Sequence, residues 1–240
     1  METGTCLGGT LTPGRQAVLD AASTISVIDD DVDLRNSLGR LLRSVGLNAM
    51  LFASVSDFLK SGSRGGPGCL VLDVRLPGQS GLEFQRELAA AGDDLPIIFI
   101  TGHGDIPMSV QAMKSGAIEF LTKPIRDQKL LDAIQLGLTR DRVRRENESA
   151  LSGLRERFET LSPREREIMI QVARGRLSKQ IAGEIGIAEN TVKVHRSKAM
   201  RKMSAGSLPE FGQMAAKLNL VPEKSHRSWS VELKPPSTLK

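Results

Sequence analysis

The sequence reads as an α/β domain followed by a small all-α domain. Two observations predict this. Over residues 24–139, five short apolar runs alternate with segments of helical spacing, which implies a parallel sheet with helices on both faces. We take it as a doubly wound five-stranded sheet of order 2-1-3-4-5. Over residues 161–220 the strand signal disappears, and four short helices with recognisable caps follow one another. Charge divides the chain in the same way. Residues 25–126 carry 12 acidic and 10 basic side chains, whereas residues 127–240 carry 14 and 22. A basic second half points to a module that faces a polyanion.

The strands are "TISVID", "LNAMLF", "CLVLD", "PIIFIT" and "AIEFLT". Helical spacing links Leu34, Leu38, Leu41, Leu42 and Val45, then Val55, Phe58 and Leu59, then Leu82, Phe84 and Leu88. It recurs at Val110 and Met113 and at Leu130, Leu131 and Ile134. Residues 140–160 are highly charged with a thin apolar stripe, Val143, Leu151, Leu154 and Phe158, and read as a linker helix. Beyond it, Ser162 caps a helix with Pro163 first and Glu165 completing a capping box. That helix stops at Gly175. Ser178 is expected to cap a short helix that ends at Gly186. "ENTVKVHRSKAMRKM" is the third helix and "LPEFGQMAAKL" the fourth.

Some classes are excluded. No run approaches 18 consecutive apolar residues, so no membrane span is expected. Residues 1–23 lack the build of a signal peptide and read as a disordered leader, and residues 221–240 as a disordered tail. Two cysteines, Cys6 and Cys69, make no disulfide framework and fit a reducing cytoplasm. His103, His195 and His226 lie far apart without zinc spacing.

Chemistry concentrates at the strand ends. In an open parallel sheet, ligands sit beyond the carboxyl ends of the strands where strand order reverses. The first strand ends in Asp29 and Asp30, the third in Asp73, the fourth in Thr101 and the fifth near Lys123. Carboxylates about 4 Å apart repel by roughly 4 kcal/mol at an effective dielectric near 20, so three at one crevice call for a hard cation. Mg²⁺ prefers such oxygen ligands. With a nearby ammonium and hydroxyl, the set suits phosphoryl transfer, with Asp73 as nucleophile. Asp31, the third of the triplet, is expected at the start of the following helix, where it favours the positive end of the dipole.

"VIDDD", "LVLDVRLPGQSGLE", "PIIFITGHGD" and "AMKSGAIEFLTKP", at these spacings, resemble the flavodoxin-like receiver domains of bacterial two-component response regulators, the FixJ subgroup in particular. The resemblance implies that Asp73 accepts phosphate from a sensor histidine kinase. It implies that Asp30, Asp73 and the backbone carbonyl of Arg75 bind Mg²⁺, with Asp29 supporting the metal through its water shell. It implies that Lys123, before a cis Pro124, contacts the phosphoryl group. It further implies that Thr101 and Phe120 form a switch pair that reshapes the face of the fourth helix and fifth strand.

In the C-terminal module, Val192, Ala199, Met200 and Met203 share a stripe expected in the core. Asn190, Lys193, Val194, Ser197 and Arg201 point away from it. A short helix, a tight turn and a helix with five Lys/Arg and no acid between Asn190 and Met203 make a helix-turn-helix, whose second helix enters the major groove. Lys193 suits guanine and Val194 a thymine methyl. Arg196, Lys198, Arg201 and Lys179 suit phosphates.

"LSPREREIMIQVARGRLSKQIAGEIGIAENTVKVHRSKAMRKM" resembles the LuxR-type output domain of NarL/FixJ regulators. That implies a recognition helix containing Asn190 and Thr191 within "NTVKVHR", and a fourth helix that pairs between copies on DNA. Ala188 departs from the capping Ser usual in that family, at about 1 kcal/mol. The joint expectation is a cytoplasmic bacterial transcription activator. Its partners would be a sensor kinase, promoter DNA, RNA polymerase and a second copy of itself. Two other readings remain. One is a Mg²⁺-dependent phosphohydrolase, against which Arg75 stands where a second acid would be needed. The other is a receiver that acts only through protein contacts.

Overall fold

The computed structural model describes residues 23–62, 66–102 and 106–220, so the expectations for the leader before Ser23, for the tail over 221–240, and for Cys6, His103 and His226 fall outside it. The chain divides into two compact units, residues 1–145 and 146–240.

The first unit alternates as its apolar runs dictate: β1 (Thr24–Ile28), α1 (Val32–Ser44), β2 (Asn48–Phe52), α2 (Val55–Lys60), β3 (Gly68–Asp73), α3 (Gly81–Ala90), β4 (Ile97–Thr101), α4 (Ile106–Lys114), β5 (Glu119–Thr122) and then α5 (Asp127–Glu159). All strand pairings are parallel, in the order β2-β1-β3-β4-β5. The central strands β3 and β4 are buried along their whole length. Their near-continuous apolar runs, with little polar alternation, reflect helices on both faces.

Two cores result. Ile25, Val27, Val71, Ile98 and Ile100 pack with Leu38 and Leu42 of α1 and Leu130 and Ile134 of α5. Leu70, Leu72 and Phe99 pack with Phe58 of α2, Phe84 and Leu88 of α3 and Ala112 of α4. Each such side chain contributes about 1.5–3 kcal/mol of burial. Asp31 is the N-cap of α1, accepting from the Asp33 and Leu34 amides at 2.9 and 3.1 Å.

The segment read as a linker helix, residues 140–160, is helical through Glu159 as part of α5, which has 33 residues. Its early part is tied to the sheet. The buried Asp141 carboxylate accepts from the Gly68 amide at 3.0 Å, from Arg144 at 2.6 Å and from Arg145 at 2.8 Å. Arg145 also donates to the Gly66 carbonyl.

The second unit holds α6 (Pro163–Ala173), α7 (Ser178–Ile185), α8 (Glu189–Met203) and α9 (Leu208–Lys217). The Ser162–Glu165 capping box opens α6, and Gly175 takes the left-handed conformation after it. Val192, Ala199 and Met203 are fully buried and Met200 is half-buried, as the stripe requires. One expectation is corrected. Ser178 does not cap α7 but is its first residue. The N-cap is Leu177, whose amide donates to the Gln180 side chain at 2.9 Å, leaving the Ser178 hydroxyl for another partner. Ala188 caps α8 without any side-chain bond.

Candidate functional site

The sheet carries Asp29, Asp73, Thr101 and Lys123 to one edge, because each closes or follows a parallel strand at its carboxyl end. Carboxylate oxygens of Asp29, Asp30 and Asp73 lie within 4.8 Å of one another. Asp29 is fully buried and Asp73 nearly so, while Asp30 is exposed. Lys123 reaches across the crevice, with Nζ 2.6 Å from Asp73 Oδ2 and 2.9 Å from Asp29 Oδ2. The remaining oxygens are held by the backbone: the Arg75 amide donates to Asp73 Oδ1 at 3.0 Å, and the Asp31 amide to Asp29 Oδ1 at 2.9 Å. The peptide between Lys123 and Pro124 is cis, as the resemblance implies.

Burial pushes the Asp29 carboxyl above its ordinary value, and the hydrogen bonds from Lys123 and the Asp31 amide only partly oppose this. Burial acts to lower the Lys123 ammonium, but its bonds to Asp73 and Asp29 outweigh it and hold the group above its ordinary value. Three carboxylates around one ammonium leave an excess of negative charge. The donors are all hard oxygens, so the residues fit a divalent cation such as Mg²⁺.

The loop after Asp73 folds tightly. Gly81 donates its amide to the Val74 carbonyl at 3.0 Å. A Cβ on Gly81 would lie 2.4 Å from the Asp73 carbonyl oxygen, so only glycine allows α3 to start so close to the acceptor strand. Thr101, fully buried, ends β4, and its carbonyl accepts from the Lys123 amide at 2.8 Å. Phe120 is half-buried on β5, its ring centroid 6.3 Å from that of Phe99.

On α8, Asn190, Thr191, Lys193, Val194, Ser197, Lys198 and Arg201 are all exposed, as is Lys179 on α7. Those on α8 share one helical face by their spacing. Arg196 differs. Its guanidinium donates to Ser178 Oγ at 2.9 Å and so braces α8 against α7. Lys193 pairs with Glu189 one turn earlier, at 2.9 Å. Sequence reasoning passed over Glu189 and took Ser178 only as a helix cap. The (i, i+4) spacing signalled the first, but nothing local signalled a contact 18 residues apart.

Residues 25–135 match the family model of the response regulator receiver domain, and residues 159–215 that of bacterial regulatory proteins of the luxR family. Nodulation protein W of Bradyrhizobium diazoefficiens is 52% identical over 196 residues, covering 82% of this chain and 86% of that one. Transcriptional regulatory protein FixJ of Azorhizobium caulinodans is 42% identical, covering 82% and 94%. Among solved structures, response regulator StyR superposes with a TM-score of 0.72 at 47% identity, over 82% of this chain and 99% of that one. The full-length FixJ from B. japonicum gives 0.50 at 38%, over 82% and 98%. Receiver and luxR-type modules therefore stand in one chain, and the protein belongs to the NarL/FixJ family of two-component response regulators, a DNA-binding regulator of transcription.

Proposed function

We propose that Asp73 accepts a phosphoryl group from a sensor histidine kinase. Asp30, Asp73 and the Arg75 carbonyl would hold Mg²⁺, with Asp29 behind them. The cation, when bound, neutralises charge on the transferring phosphoryl oxygens. Lys123, already 2.6 Å from Asp73, is placed to pair with an incoming phosphoryl oxygen. The Thr101 hydroxyl and the Phe120 ring respond as a pair, and the face of α4 and β5 becomes competent to pair with a second copy. Ile106, Val110 and Met113, exposed on α4, supply apolar surface for that. The only reaction the chain catalyses is its own phosphorylation and dephosphorylation.

We place the receiver at residues 24–139, the linker helix at 140–160 and the DNA-binding domain at 161–220. Dimerisation doubles the groove contacts, so a modest shift in association becomes a large shift in promoter occupancy. On DNA, Lys193 and Val194 read base edges from the N-terminal half of α8, with Asn190, Thr191 and Ser197 beside them. Lys179, Lys198, Arg201 and Arg196 hold phosphates, and α9 pairs between copies. The outcome is recruitment of RNA polymerase in a bacterial cytoplasm and activation of transcription.

The observation that carries this reading is the meeting of three carboxylates within 4.8 Å, with Lys123 on two of them, in a chain whose α8 also carries five Lys/Arg and no acid from Asn190 to Met203. The test is sedimentation and gel shift with and without beryllium fluoride and Mg²⁺. Tighter association and tighter DNA binding with the mimic are expected. Identical behaviour in both conditions overturns the coupling.

A further inference from the structure

Within the second unit, α5 and α9 frame a groove of about 390 Å³. Its apolar lining is Ala150, Leu151, Leu154 and Met214, and its cations are Arg157 and Lys217. Leu154 is buried, Leu151 and Met214 are half-buried, and Ala150 and Lys217 are exposed, so the groove is open to a visitor. An apolar surface with two cations and no carboxylate fits a short apolar segment that carries a negative charge.

The chain supplies such a segment nearby. Leu220, the last described residue, stands three positions after Lys217, and residues 221–240 follow it. Within Ser228–Leu233 lie Trp229, Val231 and Leu233, and the only charge is Glu232. The residues from Leu220 to Trp229 span at most about 30 Å, enough to bring Trp229 back to a groove that Lys217 itself lines. A tether this short raises the effective concentration to the order of millimolar, so a weak site is filled.

We propose that Ser228–Leu233 docks in the α5–α9 groove of its own chain, with Trp229, Val231 and Leu233 against the apolar lining and Glu232 toward Lys217 and Arg157. Docked there, it covers Met214 and Lys217 of α9. Under the reading above, in which α9 pairs between copies on DNA, the segment opposes that pairing.

Trp229 is the chain's single tryptophan and there is no tyrosine, so fluorescence of the full-length protein reports this segment alone. Emission and acrylamide quenching are to be measured over a dilution series, beside a synthetic peptide of residues 221–240. A blue-shifted, protected Trp229 that is independent of dilution is expected. Ala150→Arg, which fills the groove from an exposed position, and Glu232→Lys are each expected to abolish the shift. Lys217→Glu combined with Glu232→Lys is expected to restore it, with far-UV circular dichroism unchanged throughout. Emission like that of the free peptide, or protection that survives Ala150→Arg in a folded protein, overturns the proposal. Protection that fades on dilution assigns the groove to a second copy and overturns it equally. The measurement uses neither DNA nor phosphorylation, so its failure and the failure of the dimer reading are separable.

Discussion

Replacing Asp141 with alanine is expected to destabilise the first unit by about 2–4 kcal/mol. The carboxylate is buried and accepts three hydrogen bonds, from the Gly68 amide, Arg144 and Arg145. Alanine leaves the buried Gly68 N–H without its acceptor, which costs about 1–3 kcal/mol. It also takes one carboxylate partner from the Arg144 and Arg145 guanidinium groups. These side chains are 24% and 29% exposed, so water recovers much of their solvation, and their share stays near 1 kcal/mol, below the 3–5 kcal/mol of a fully buried pair. Asparagine keeps an acceptor for Gly68 and loses only the charge, so about half the effect is expected. The pH dependence has a definite sign. Burial raises the Asp141 carboxyl, but the bonds from Arg145, Arg144 and the Gly68 amide outweigh it and hold the group below its ordinary 3.8. A depressed carboxylate stabilises fully above its unfolded pKa, and that stability is lost as the pH falls through the folded value. The gap between wild type and Asp141→Asn therefore narrows below about pH 4. Urea unfolding followed by far-UV circular dichroism gives the stability, and amide hydrogen exchange at Gly68 gives the local opening. Unchanged exchange at Gly68, with Asp141→Ala within about 0.5 kcal/mol of wild type, refutes the reasoning.

Asp30→Ala is expected to abolish Mg²⁺-dependent phosphorylation by a small-molecule phosphodonor, while Asp31→Ala keeps it and loses about 1 kcal/mol of stability with the α1 cap. Equal loss in both, read on a mobility-shift gel, contradicts this division. Gly81→Ala drives a Cβ to 2.4 Å from the Asp73 carbonyl oxygen, so it is expected to cost about 1–3 kcal/mol in thermal unfolding and to slow phosphorylation in the same assay. Glu189→Gln releases Lys193 from its partner, and fluorescence anisotropy on promoter DNA is expected to show affinity raised about twofold. Glu165 is buried and Lys202 lies 2.7 Å away; burial raises its carboxyl, but the Lys202 and Ser162 bonds outweigh this and hold it below its ordinary value. Glu165→Gln is therefore expected to destabilise the second unit at neutral pH and to matter less in acid, as circular dichroism at both pH values can show.

The strands and the crevice were legible because their signals are local. Ile25–Ile28 and Ile97–Ile100 are apolar runs that only a doubly covered sheet explains, and Asp29, Asp73, Thr101 and Lys123 each sit where such a run stops. Asp141 was illegible for the opposite reason. It lies in the charged stretch "RDRVRRENE", where a solvated face is the natural reading, and its burial depends on Gly68, 73 residues earlier. The start of α7 was misplaced by one residue. Ser178 is the better intrinsic cap, but the Gln180 side chain captures the Leu177 amide and Arg196 engages the serine. Arg196 reads as a phosphate ligand by charge, and the crossing of α7 and α8 adds an internal partner, Ser178, that no local signal announces.

The two cores of the first unit never mix, since the sheet lies between them like a bulkhead between two chambers. Phe120 packs in the chamber of α2, α3 and α4, whereas α1 and α5 close the other. A rearrangement of Phe120 is thus absorbed on one side of the wall and reaches the α5 side only around the β5 edge or through a shift of the wall itself. Cys69 and Gly137 illustrate the stiffness of that wall's far side: a Cβ on Gly137 would stand 2.8 Å from the Cys69 sulfur. Helix and strand are pressed together there with no slack, so that boundary transmits displacement of the sheet as a whole and ignores repacking behind it.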